Sequence, residues 1–242
     1  MSLLDEIRVY VAENIGKFHG KKLARLRKLK LKEILRKKNP YLFKVKNFES
    51  ASEIVKGIVD AFISSQEETM FGDWLEDLAI FVCYKVYGGM KSTALGIDLE
   101  FVRDGKRYLV SIKSGPNWGN SSQIKKMEQD FKNAKIRLRG RVNEEIVCVN
   151  GCCYGRVTVD KGGYLKICGQ DFWELISGEP NLYIDIIEPL GYQAREKNEE
   201  YLVEYNAKLN LFTNEFIEIF CFKDGRIDWE RLVNFNSGSR RG

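Results

Sequence analysis

Residues 96–103 (GIDLEFVR) and 106–113 (KRYLVSIK) alternate apolar and polar side chains, and Asp104-Gly105 joins them. An Asp-Gly pair between two alternating runs predicts a β-hairpin. Asp98 stands on its first strand and Lys113 on its second. Strand parity puts Ser111 and Lys113 on one face and Ile112 on the other. Hydrolysis of a phosphodiester calls for a metal ion held by carboxylates, to polarise the phosphate and lower the pKa of a bound water. Mg²⁺ takes oxygen ligands and is usually held by one or two carboxylates plus water and substrate. A nearby lysine orients the attacking water or stabilises charge that grows in the transition state. An acid and a lysine on paired strands meet that need. The plainer alternative is the solvent face of an amphipathic hairpin, with Asp98, Glu100 and Lys113 as cross-strand charges.

Asp98 followed after 13 residues by Ser111-Ile112-Lys113 resembles the PD-(D/E)XK nuclease core. The runs 111–123 (SIKSGPNWGNSSQ) and 149–155 (VNGCCYG) are similar to type II restriction endonucleases of the EcoO group, which cut palindromes built on a GG-N-CC core. The resemblance extends over roughly 70–155. It implies an α/β fold with a PD-(D/E)XK restriction-endonuclease-like core, a mixed sheet flanked by helices. It also implies Mg²⁺-dependent cleavage of double-stranded DNA at a short palindrome. Cutting both strands of a palindrome requires two sites related by a two-fold axis, hence a homodimer.

Two positions depart from the pattern. Ser111 stands where the family has its second acid, and Ile97 replaces the proline before the first. Serine is a poor Mg²⁺ ligand, and some members of the superfamily supply the carboxylate from a neighbouring helix. Glu76, in Gly72-Asp-Trp-Leu-Glu76, is similar to the G-x-x-x-E of the superfamily's first helix; Glu128 lies 15 residues beyond Lys113. Glu100, on the face of Asp98, is a third option. Glu76 is favoured, because it sits amid an apolar stripe of Leu75, Leu78 and Ala79. The expected catalytic set is Asp98, Lys113 and Ser111 with Glu76 or Glu128, and the expected metal ligands are Asp98, Glu76 and Glu128. A structure-specific or repair nuclease shares this chemistry. Without a completing glutamate, the alternative is a DNA-binding module that has lost activity.

The elements that must position these residues follow from hydrophobic period. Helical spacing predicts helices over 2–15, 21–38, 50–64 and 69–87, the last ended by Gly88-Gly89. After the hairpin, a polar loop leads to a helix over 121–138, then a buried strand over 145–150. Short strands over 154–159 and 164–168 and helices over 170–177 and 193–208 complete the reading. Helices, a hairpin, a helix and a strand in that order describe an α/β core with an N-terminal helical extension. The expected organisation is a basic helical extension over 1–66, a nuclease domain over 67–233 and a flexible polar tail over 234–242.

The formal charge is +5, yet Lys17–Lys38 holds eleven Lys or Arg and one acid, a local +10 that leaves the rest of the chain at −5. Such a block fits a polyanion, and Lys21, Lys22, Arg25 and Lys28 are expected to neutralise phosphates. Asn117, Trp118, Asn120, Ser122 and Gln123 follow directly after Lys113 and are candidate DNA contacts, as are Arg137, Arg139 and Arg141, suited to guanine. Six cysteines do not repeat a zinc-site spacing and the single histidine, His19, is remote, so buried reduced thiols are expected. No apolar run reaches the ~20 residues of a membrane span. The start, MSLLDEIRVY, lacks the apolar core of a secretory signal, so a cytoplasmic protein is expected.

Overall fold

The computed structural model describes residues 1–191 and 194–239, the side chains of Ala194 and Arg195 apart. The elements run α1 (Leu3–Lys28), α2 (Leu31–Lys37), α3 (Pro40–Val45), α4 (Ala51–Tyr87), β1 (Leu99–Arg103), β2 (Lys106–Lys113), α5 (Ser121–Leu138) and β3 (Glu145–Cys152). They continue as β4 (Val159–Asp160), β5 (Leu165–Cys168), α6 (Gln170–Ser177), α7 (Leu182–Asp185), α8 (Ile187–Leu190), α9 (Ala194–Phe220) and α10 (Trp229–Ser237). Among the described residues no helix is long and apolar enough to cross a membrane.

The chain divides into two compact units: Met1–Ile15 with residues 71–191, and Gly16–Met70 with residues 194–239. This replaces the expected division at 66/67, and the second unit draws on both ends of the chain. The divisions fall inside α1 and α4, where no change of composition marks a border. The expected break between helices at 64–69 is likewise absent: Ser64-Ser65-Gln-Glu-Glu-Thr69 is polar but holds no Gly or Pro, and Gln and Glu are good helix formers. The break expected between 15 and 21 is also continuous helix, and the turn comes at Leu29-Lys30 instead.

The first unit contains a five-stranded mixed sheet of order β1-β2-β3-β5-β4. β1 and β2 form the expected hairpin, with Leu99 opposite Val110 and Arg103 opposite Lys106. Asp104 and Gly105 both take positive φ, 50° and 71°, as a two-residue hairpin turn requires. β2, β3 and β5 run parallel, with Ser111 opposite Asn150 and Cys152 opposite Cys168. The strand expected over 154–159 is reduced to Val159–Asp160, because Gly155 takes a φ of +115° that strand geometry does not allow.

α5 lies on one face of the sheet. Its Met127, Phe131 and Ala134 bury with Ile97, Leu109, Cys148 and Tyr164, each large side chain contributing about 1.5–3 kcal/mol. Its start is fixed by a capping box: the Asn120 side chain accepts the Ser122 and Gln123 N–H groups, while Gln123 Oε1 accepts the Asn120 N–H. α6 covers β3, where Gly151 is required. A Cβ there would lie 2.3 Å from the Phe172 ring. The N-terminal turns of α1 pack on α4 through stacked Tyr10 and Phe81, 4.2 Å between centroids, and a Lys85–Glu6 ion pair of 2.7 Å. Five of the six thiols are buried, and all six are free.

The second unit is helical. Leu31, Ile34, Leu35, Ile54, Ile58, Phe212, Phe216 and Phe220 are among its core residues. α9 runs well past the expected end at 208, and residue 193 of that expectation lies outside the described residues. The expected flexible tail is corrected as far as Ser237. Asn236 Nδ2 donates to the Leu35 and Lys38 carbonyls, at 2.6 and 3.1 Å, holding α10 against α2. Residues 240–242 of that tail lie outside the described residues.

Candidate active site

Asp98 sits one residue before β1 and extends its pairing, its N–H donating to the Val110 carbonyl at 2.9 Å. One carboxylate oxygen, Oδ2, gathers three donors: the Ile112 N–H at 2.7 Å, Ser111 Oγ at 3.4 Å and Lys113 Nζ at 3.4 Å. Among the described residues no donor engages Oδ1. Lys113 is tied down as well, since its Nζ donates to the Ile112 carbonyl at 2.7 Å and lies 5.4 Å from the Trp118 ring centroid. Ser111 is 2% exposed. It is a hydroxyl donor inside the sheet, and as such it supports Asp98.

The helix that precedes the hairpin carries a second carboxylate near this cluster. A Cβ on Gly72 of α4 would stand 3.3 Å from Ser114 Cβ, so glycine lets this turn of the helix lie against the segment after Lys113. Glu76 follows at i+4, on the same side of the helix. Burial raises the Glu76 pKa above the usual carboxylate range, and the nearby Asp98 carboxylate raises it further; Lys91 and Lys113 pull it back. Lys91 Nζ is 3.4 Å from Glu76 Oε1. Two carboxylates that repel one another beside a lysine form a donor set suited to a hard cation, and two are enough for Mg²⁺. Among the described residues there is no group of three or more His, Cys, Asp or Glu that would suit a closed metal site.

Of the other expected residues, Trp118 lies beside Lys113, while Glu128, Glu100 and Arg137 are engaged elsewhere. Glu128 lies in a pocket with Lys132, Lys135 and Tyr164; burial raises the Tyr164 pKa and the Glu128 charge raises it further. Glu100 is held by Arg107 Nη1 at 2.7 Å and by Ser92 Oγ at 3.1 Å. Arg137, Arg139 and Arg141 stand at the far end of α5, about 27 Å along the helix from Asn120. Arg137 is tied there to Thr93 Oγ1 at 2.6 Å. Asn120 and Gln123 spend their side chains on the capping box. Asn117 and Ser122 are exposed. Trp118 turns inward against the α5 core, its Nε1 donating to Asn150 Oδ1 at 3.1 Å. In the second unit Lys21 and Lys28 are exposed, while Lys22 pairs with Glu67 at 2.8 Å and Arg25 Nε donates to Gln66 at 3.1 Å.

Sequence reasoning passed over Asn150. It is 2% exposed, donates through Nδ2 to the Ser111 carbonyl at 3.3 Å and accepts from Trp118. It therefore joins the strand carrying Ser111 and Lys113 to the loop that follows them. The signal was a lone amide inside the apolar run EIVCVNGC, where an unpartnered polar group is costly. Lys166 adds a second tie, its Nζ donating to the Pro116 carbonyl at 2.7 Å.

A mixed sheet that presents a carboxylate and a lysine on paired strands, with a second carboxylate from a flanking helix, is an α/β architecture equipped for phosphodiester chemistry. The family model of type II restriction endonuclease EcoO109I matches residues 5–198, and the chain belongs to that family. It is thus a restriction endonuclease by descent and a DNA-acting protein by class. No curated protein matches the chain.

Proposed function

We propose that the protein is a Mg²⁺-dependent type II endonuclease of PD-(D/E)XK type that cuts both strands of a short palindromic DNA site as a homodimer. The observation that supports this reading is Glu76 on α4, near enough to Asp98 and Lys113 for their charges to act on its carboxyl, and so a candidate for the carboxylate that Ser111 is not. The similarity to the EcoO group extends the proposal to a palindrome with a GG-N-CC core.

Asp98 Oδ1 and the Glu76 carboxylate would hold the cation. When bound there, Mg²⁺ supplies a Lewis acid that polarises the scissile phosphate and lowers the pKa of a bound water. The protein's own groups do the rest. Asp98 Oδ2 and the Ile112 carbonyl aim the Lys113 ammonium, which stabilises charge growing on the phosphoryl oxygens. The Trp118 ring lies 5.4 Å from that ammonium and offers it a cation–π contact on one side. Ser111 and Asn150 hold the strand and the loop in register, so that Lys113 does not drift from the reacting centre.

Incubating plasmid DNA with the protein in Mg²⁺ and in EDTA tests the proposal. Discrete fragments appear with Mg²⁺ alone, and Asp98→Asn lowers the rate by roughly 10³-fold. A wild-type protein that cuts no DNA in Mg²⁺ overturns the enzyme reading, and one that cuts only branched or single-stranded substrates overturns the palindrome.

A further inference from the structure

Beyond Cys152 the chain stays beside the segment that follows Lys113. The Cys153 N–H donates to the Lys113 carbonyl at 2.9 Å, and the Tyr154 N–H to the Ser114 carbonyl at 3.3 Å. The Tyr154 ring rests on Gly115, where a Cβ would lie 2.1 Å from it. The backbone then turns at Gly155, whose carbonyl packs on Gly169 so closely that a Cβ there would lie 2.2 Å away. This close-packed pair of glycines delivers Arg156 to the rim of a cavity of about 610 Å³, also lined by Gln170, Asp171 and Tyr183. The cavity opens beyond the carboxyl ends of the parallel strands β3 and β5, where ligands of α/β sheets commonly bind.

The arginines of this unit divide clearly. Arg8 is paired with Glu188, Arg107 with Glu100 and Glu144, and Arg103 with Asp104 and two α6 carbonyls. Arg137 is held by Thr93, and Arg139 and Arg141 lie at the other end of α5. Arg156 is exposed and its guanidinium makes no hydrogen bond or ion pair among the described residues. It is the one untied arginine at the Lys113 end of the sheet, among those described.

The surroundings of Arg156 are not those of a phosphate seat. Asp171 stands in the same lining, fixed by a hydrogen bond from Thr158 Oγ1, and a carboxylate repels an anion. Gln170 is oriented by its Nε2 donating to the Pro180 carbonyl at 3.0 Å. Planar donors and acceptors of mixed charge match base edges, and arginine matches the O6/N7 edge of guanine with two parallel hydrogen bonds. We infer that Arg156 is a specificity-determining residue that reads a guanine in the major groove of the duplex held at Lys113. The inference rests on the reading that this protein acts on duplex DNA.

A pool of random-sequence duplexes, bound with Ca²⁺ in place of Mg²⁺ and sequenced after recovery, tests it without cleavage. Wild type enriches one sequence containing guanine. Arg156→Ala and Arg156→Lys both lose roughly ten- to a hundredfold of the preference for guanine at one symmetry-related pair of positions and keep it elsewhere. Lysine keeps the charge but not the paired donors, so the two variants behave alike only if a base edge is read. The inference is overturned if Arg156→Ala recovers the same sequence, whether at wild-type affinity or with uniformly weaker binding and a shallower salt dependence, which marks a phosphate partner. It is also overturned if wild type enriches nothing. A protein that selects a sequence yet cuts no DNA in Mg²⁺ loses the nuclease reading and keeps this one.

Discussion

The two units bury different kinds of side chain. Ser111, Asn150 and Ser177 are the buried polar residues among those described, and all three belong to the sheet unit. Two of them touch the strand that carries Lys113. The helical unit buries Phe212, Phe216, Phe220, Ile54 and Ile58 in an apolar core. An apolar core is the cheaper way to stabilise a fold, because each buried polar group needs a partner to offset its desolvation. The sheet unit meets that cost around Lys113, where position matters more than stability. Changes around Lys113 are therefore expected to cost function, and changes in the helical core to cost folding.

Paired substitutions separate the two roles. Lys113→Met keeps the stem over Trp118 and removes the ammonium. Cleavage is expected to fall about 10²–10³-fold, with the melting temperature nearly unchanged. Phe216→Ala opens a cavity in the helical unit and is expected to cost about 3–5 kcal/mol in urea denaturation, with the cleavage rate per folded molecule retained. Single-turnover cleavage and melting curves on both variants check this. A Phe216→Ala protein that remains folded and loses the chemical step would break the comparison.

Glu76 sharpens it from the opposite side. Its carboxyl binds its proton more tightly in the fold than in the unfolded chain, by burial and by the charge of Asp98. Ionising it therefore costs the metal-free fold stability at pH values above its raised pKa, and the cost disappears as pH falls through that pKa. Glu76→Gln is expected to melt above wild type at neutral pH in EDTA and to match it in acid. The same variant is expected to cleave roughly a hundredfold more slowly in Mg²⁺. Equal melting of the two proteins at neutral pH would remove the charge repulsion from the account.

Much of the site could be read from local pattern. The hairpin follows from period-two alternation and Asp104-Gly105, and α5 from its amphipathic stripe behind Asn120. Asp98 and Lys113 came with them, because strand parity is a local property. The second unit could not be read this way, since Asn236 meets Leu35 and Phe216 joins the core of Ile54 only after the chain returns from the sheet. The preference for Glu76 over Glu128 was legible in its apolar stripe, and what the sequence could not show is the seat of Gly72 on Ser114. The remoteness of Arg137 from Lys113 was legible in principle: a helix of 18 residues separates its ends by about 27 Å. Charge content drew attention to those arginines, whereas length along the helix decides what they can reach.

The basic block gives the smallest expected effect. In the sequence it is a uniform cluster, but in the helical unit Lys22, Arg25 and Arg27 are engaged by Glu67, Gln66 and Glu204. Lys38 donates to the Ala61 carbonyl. Lys21 and Lys28 remain exposed, with no partner among the described residues. Only such free ammonium groups can release counterions from a duplex. Lys21→Gln with Lys28→Gln is expected to weaken binding of every duplex alike. The slope of log affinity against log salt should become shallower by roughly 0.9 for each phosphate that is no longer neutralised. Sequence preference should stay as it is, unlike that of the Arg156 variants. Salt titrations of the double variant on cognate and scrambled duplexes measure both quantities. An unchanged slope would take the basic helix off the DNA and leave the sheet unit to hold it.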